Sequence, residues 1–239
     1  RNMDWKRSLS FSFKVYVTPN ISSDLSTSGG SINLKNLKGK QEFTTSGGSL
    51  MVQELSGSIK GRTSGGSISV VDCSDDIDLT TSGGSIDANN CTGNIRLETS
   101  GGSVHLKGLN GKITANTSGG NIQGVGIMGD LKSHTSGGSI DFSEMACALE
   151  TSTSGGNVSV SMKELVKAIS IKNSGGNIDL EIPKNAAVNL DLRANKIKTT
   201  SLNNFNGKSD DDNLEGTLNG GGVEVEAHSG SGRISLSFN

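Results

Sequence analysis

The chain has 239 residues, of which 31% are apolar and 3% aromatic, and 22 Lys and Arg stand against 24 Asp and Glu for a formal charge of -2. With no charge run beyond Asp210-Asp211-Asp212, that balance gives no electrostatic footprint for nucleic acid or for an anionic membrane surface. No stretch reaches the ~20 consecutive apolar residues of a spanning helix, so direct membrane insertion is not expected.

The chain opens at Arg1 rather than Met, as it would if a targeting segment had been removed. Phe11, Phe13, Val15 and Val17 alternate with Ser12, Lys14 and Tyr16, the period-two pattern of a strand, ahead of a turn at Pro19-Asn20. Residues 1–26, which include the single Trp, Trp5, are expected to cap the N-terminal end of the fold.

From Thr27 onward the sequence repeats. Thr-Ser-Gly-Gly-Ser-Ile or a close variant begins at Thr27, Thr45, Thr63, Thr81, Thr99, Thr117, Thr135 and Thr153, each 18 residues after the last. A ninth copy starts at Asn173, 20 residues on, so two residues are inserted there. A sustained short period is the mark of a solenoid, in which each repeat buries its apolar face only by stacking on a neighbour.

Aligned, the repeats give five columns. One coil contributes Leu50, Val52, Leu55, Ile59 and Gly61; the next contributes Ile68, Val70, Cys73, Ile77 and Leu79. The spacing of two between the first pair and the last pair is the alternation of a half-buried strand. Gly pairs such as Gly47-Gly48, and Gly57, Gly93, Gly111 and Gly129 opposite, mark turns, where positive φ costs Gly little. The expected fold is therefore all-β, a parallel β-solenoid with 18-residue two-strand coils over 27–182 and irregular caps at both ends. A hexapeptide β-helix would need aliphatic residues where Lys38 and Thr44 stand, and calcium-binding nonapeptide repeats would need regular Asp after Gly-Gly; both classes fail.

After Ile182-Pro183 the period breaks. Leu190, Leu192, Ile197, Leu214, Leu218, Val223, Val225, Ile234 and Leu236 still read as strands, and Ser229-Gly-Ser-Gly-Arg-Ile234 reads as a degenerate late copy. Residues 183–239 are expected to form irregular last coils of the same domain.

Little in the repeat looks like chemistry. The Thr ladder invites an ice-binding reading, but each Thr abuts the Gly-Gly turn, where its hydroxyl is expected to bond backbone. Cys73 and Cys91 are one period apart and read as stacked buried thiols, with Cys147 unpaired in a turn column. His105, His134 and His228 fall at different coil positions and read as solvated surface residues. Asp75, Asp76 and Asp78, and Asp210 to Asp212, have the residue type for a hard cation such as calcium, but read as loop residues. No catalytic, cofactor-binding or metal-binding residues are assigned, and no cofactor is expected.

The chain resembles a bacterial family of adhesin-labelled proteins, the domain-of-unknown-function family DUF4097. The resemblance rests on the serial copies at Thr45, Thr63, Thr81 and Thr99, on Val17-Thr-Pro-Asn-Ile21, and on Leu180-Glu-Ile-Pro183 followed by Leu190-Asp-Leu-Arg193. Leu214-Glu-Gly216 and the final Ser-Gly-Arg-Ile complete it. It implies an exported β-solenoid at the cell envelope, periplasmic or on the cell surface, especially in the Bacteroides group. Some relatives are linked to envelope-stress regulation. The leading expectation is a non-enzymatic envelope protein presenting a rod face to an envelope protein or a glycan. The alternatives are an interaction domain in envelope-stress signalling and a polysaccharide-active β-helix enzyme.

Overall fold

The computed structural model describes residues 11–239. In chain order the stack begins with β1 (Ser23–Thr27), β2 (Ile32–Lys35), β3 (Lys38–Thr45), β4 (Leu50–Gln53), β5 (Ser56–Thr63), β6 (Ile68–Val71) and β7 (Ser74–Thr81). It continues with β8 (Ile86–Asn89), β9 (Thr92–Thr99), β10 (Val104–Lys107), β11 (Asn110–Thr117), β12 (Ile122–Val125) and β13 (Met128–Thr135). Then come β14 (Ile140–Thr153), β15 (Val158–Met162), β16 (Ile169–Asn173) and β17 (Ile178–Ile182). The strands of a coil are unequal, four residues on one side and eight on the other.

Register is the repeat itself. On the long-strand sheet Ile59 lies beside Ile77 and Ile77 beside Ile95, all parallel. On the short-strand sheet Ile68 lies beside Ile86, and Ile86 beside Val104. The result is the expected parallel β-solenoid, with about nine turns of about 18 residues. β14 passes from the short-strand sheet to the long-strand sheet without a break.

The columns read from the sequence face inward and are buried along the stack. Volume is balanced between neighbouring coils. A Cβ on Gly61 would lie 2.3 Å from the Phe43 ring and 2.8 Å from Leu79, and one on Gly124 would lie 2.8 Å from Phe142. Large and small residues therefore interdigitate along the rod, as close packing demands. The one amide in the fourth column, Gln41, is fully buried; it accepts from Ser23 Oγ at 2.5 Å and donates to Ile21 O at 2.5 Å.

The turns correct one expectation. Positive φ occurs at Gly57 (105°), Gly93 (116°), Gly111 (132°) and Gly129 (94°), and at a turn column that is mostly not Gly: Asn36, Glu54, Asp72, Asn90, Gly108, Gly126 and Glu144. It does not occur in the Gly-Gly pairs. From the Gly47-Gly48 pair onward the second Gly is required by close approach instead: a Cβ on Gly84 would stand 2.1 Å from Gly66 O of the coil before.

The N-terminal strand expectation is also corrected. Residues 11–17 form no strand, and Phe11, Phe13, Val15 and Tyr16 are exposed. The bridge between Asn20 and Lys38 fixes the 18-residue register, which would put Lys14 beside Ile32 and Tyr16 beside Leu34, in core columns. Slipping by one residue reverses the two faces of a strand. Trp5 lies outside the described residues.

At the other end, β18 (Val188–Arg193), β19 (Lys196–Thr199), β20 (Phe205–Ser209), β21 (Asn213–Leu218), β22 (Val223–Ser229) and β23 (Arg233–Phe238) depart from chain order. β22 and β23 lie directly on β16 and β17, with Ala227 beside Ile171 and Leu236 beside Leu180. β18 and β19 lie on β22 and β23. The C-terminal strand pair is thus sandwiched between two earlier coils. Antiparallel β21 and β20 then close the long-strand sheet.

Candidate functional site

The Thr ladder is structural. Thr99 Oγ1 donates to Gly84 O of the preceding coil at 2.7 Å and accepts from Gly102 N of its own turn at 3.2 Å. The same pair of bonds recurs at Thr45, Thr63, Thr81, Thr117, Thr135 and Thr153. Asn173 reproduces it with its amide, and Ser229 with its hydroxyl, so the late copy at Ser229 occupies a repeat position. These side chains are buried, and they staple coil to coil.

Outward columns carry what varies. On the short-strand face His105 Nδ1 meets Asp87 Oδ1 at 2.7 Å, one coil apart. On the long-strand face Lys132 pairs with Glu150 at 2.7 Å and Arg96 with Glu98 at 2.7 Å. The Asp cluster of β7 is spread among separate partners. Asp75 Oδ2 accepts from Gly57 N at 2.9 Å, Asp76 faces Asn94 at 3.5 Å, and Asp78 faces Arg96 at 4.0 Å. Asp210 is held by Lys208 at 2.6 Å. Among the described residues no three His, Cys, Asp or Glu side chains come together in a metal-holding group.

All three cysteines are free and buried. Cys73 and Cys91 stack one coil apart; the thiol of Cys91 is pushed up by its hydrogen bond with Cys73 and by burial. Cys147 does stand in the turn column of Gly129, but β14 runs straight through that level, so the thiol lies within a strand. Burial pushes it up to about 12, with a smaller push from Asp130.

Among the concavities that the described residues form, two bring charged side chains together. The first is a groove of about 540 Å³ across the long-strand face, bordered by Lys112, Asp130, Lys132, Glu150 and Lys172, with Ala148 and Ala168 between them. Its origin is the two-residue insertion. β16 begins only at Ile169, beside Leu149, so Ala146 to Ala148 pair with β13 on one side and, among the described residues, with no strand on the other. Lys167, in the inserted loop, reaches Asp130 Oδ1 at 2.6 Å.

The second is an open recess of about 510 Å³ at the irregular end, lined by Arg193, Asn195, Asp212, Asn213, His228 and Ser229. Arg193 gives two N–H groups to Asp191, at 2.9 and 3.1 Å. His228 Nε2 lies 3.7 Å from Asp191 Oδ1, and it and Asn213 Oδ1 are buried with no hydrogen-bond partner among the described residues. His228 is therefore half-enclosed rather than a solvated surface residue. The sequence carries no signal for either concavity beyond the 20-residue interval before Asn173.

A family model described as Toastrack DUF4097 matches residues 70–237. No curated protein and no solved structure matches the chain.

Proposed function

We propose, from the premise that this chain belongs to the Toastrack DUF4097 family, that it is an exported, non-enzymatic envelope protein whose solenoid faces bind or assemble. The observation that supports this reading is the contrast between inside and outside. Inward columns repeat the same aliphatic and hydroxyl residues, while outward columns change freely from coil to coil. A long, stiff surface with variable polar positions suits extended contact with a partner. The groove bordered by Lys112, Asp130, Lys132, Glu150 and Lys172 offers donors and acceptors of both charges over an Ala-lined floor, which fits a polar glycan or peptide segment better than a uniformly charged one.

The test is an array of bacterial and host glycans probed with the purified protein, beside a pull-down from envelope extract. Selective glycan retention, weakened by Lys132→Glu, supports adhesion. Recovery of a single envelope protein with no glycan signal replaces adhesion with an interaction role in envelope signalling. Turnover of a retained glycan defeats the non-enzymatic reading.

A further inference from the structure

We propose that two copies of this chain join at their N-terminal ends, each laying Phe11–Val17 along the open β2 edge of the other. The segment Phe11-Ser-Phe-Lys-Val-Tyr-Val17 has the alternation of a strand with one apolar face. Yet among the described residues it pairs with nothing in its own protomer, and Phe13 and Val15 are 91% and 79% exposed.

Among the described residues no strand covers the rod end beside it. Among the described residues β1 pairs only with β3 and β2 only with β4. Leu25 is 39% exposed, whereas Phe43, its partner one coil on, is 1% exposed; Ile21 and Ile32 are only partly buried. At the opposite end of the long-strand sheet the last strand, β20, carries exposed Asn206, Gly207, Lys208 and Ser209 after Phe205 rather than an apolar column. An open parallel edge with apolar columns behind it is a template for another strand.

The chain's own segment is poorly suited to that slot. The 18-residue register would drive Lys14 and Tyr16 inward and turn Val15 and Val17 out. It would also put Thr18 at the turn column where Asn36 has φ 56° and Glu54 has φ 57°. A β-branched residue resists positive φ, and the following Pro19 restricts it further toward extended conformations. A strand from a second copy enters free of that connection, so Phe13, Val15 and Val17 can face Ile32 and Leu34. Because each copy carries both the strand and the edge, the exchange is reciprocal and closes at two.

The test is light scattering and sedimentation of the full chain from about 1 to 100 µM, a range that reads dissociation constants of micromolar order. A dimer is expected, with Phe13→Lys/Val15→Lys raising the dissociation constant at least about tenfold. Because both side chains are exposed in the protomer, circular dichroism and thermal unfolding of the diluted, monomeric variant should match those of the diluted parent. Val166→Lys, on the exposed loop far along the rod, should leave association unchanged. A monomer throughout that range overturns the proposal, as does a dimer indifferent to the double substitution, which would place the interface elsewhere.

Discussion

The two adjacent glycines of a Thr-Ser-Gly-Gly turn that stacks on an earlier coil answer to different constraints. A Cβ on Gly101 would meet nothing closer than Ser82 O at 3.5 Å, an ordinary contact, whereas one on Gly102 would stand 2.0 Å from Gly84 O, which is backbone and cannot swing aside. Gly102→Ala should therefore cost at least about 3 kcal/mol in urea unfolding, at or beyond the usual range for overpacking. Gly101→Ala should stay within about 1 kcal/mol of the parent, since the substitution also reduces unfolded-chain freedom. Equal effects at the two positions would remove the close-approach explanation. Glycine in a repeat announces a turn but does not say whether dihedral or distance demands it, which is why the φ assignment from sequence failed here.

Cys147 sets a second expectation at this scale. Its native thiol titrates near 12 against an ordinary 9.0, so between these values the unfolded chain loses a proton that the native chain keeps. Stability should fall as pH rises through that window, and more steeply for the parent than for Cys147→Ala. Identical slopes above pH 9 would show that the thiol is not held neutral.

Between neighbouring strands the informative unit is a pair of residues one coil apart. Gly61 on β5 exists because the Phe43 ring of β3 fills its place, with Leu79 of β7 closing the other side. Gly61→Ala should destabilise by about 1–3 kcal/mol. Combined with Phe43→Leu, the two effects should couple by at least about 0.5 kcal/mol rather than add. Strict additivity in the double-mutant cycle would mean that the ring does not occupy that space. The columns themselves are legible in the sequence because stacking repeats the same environment every 18 residues. The compensation inside a column is not, since a Gly among Phe and Leu reads only as a weaker position. The strand pattern of Phe11 to Val17 is legible too, but its pairing depends on register, which a single bridge at Asn20 settles against it.

Along the whole rod, stacking order and chain order part company after Ile182. Val223–Phe238 lies between the coil of β16 and β17 and that of β18 and β19. A chain ending at Asn219 should therefore lose amide protection through 188–218, while 50–135 keeps it, because coils depend only on their neighbours. Retained protection at Leu190 and Leu192 in that truncation would show that β18 docks without the inserted pair. The late Ser229 copy could be recognised from its residues, but its place in the stack could not, because nothing local records which coil it will lie against. The recess at His228 was hidden for the same reason: Arg193, Asp212 and His228 meet only through that reordering. The groove left one trace, the 20-residue interval before Asn173, whose consequence depends on how the extra loop Lys163 to Ala168 leaves the sheet.

The sandwiched C-terminal pair also bears on biosynthesis. Coils up to Ile182 can form in the order in which they leave the ribosome, each on the last. The layer of β18 and β19 cannot settle until Phe238 has emerged and β22 and β23 have slid into place beneath it. Completion of the β18–β19 layer is thereby tied to synthesis of the chain through Phe238. A product cut before β22 keeps a loose, apolar end that proteases can tell from the closed stack.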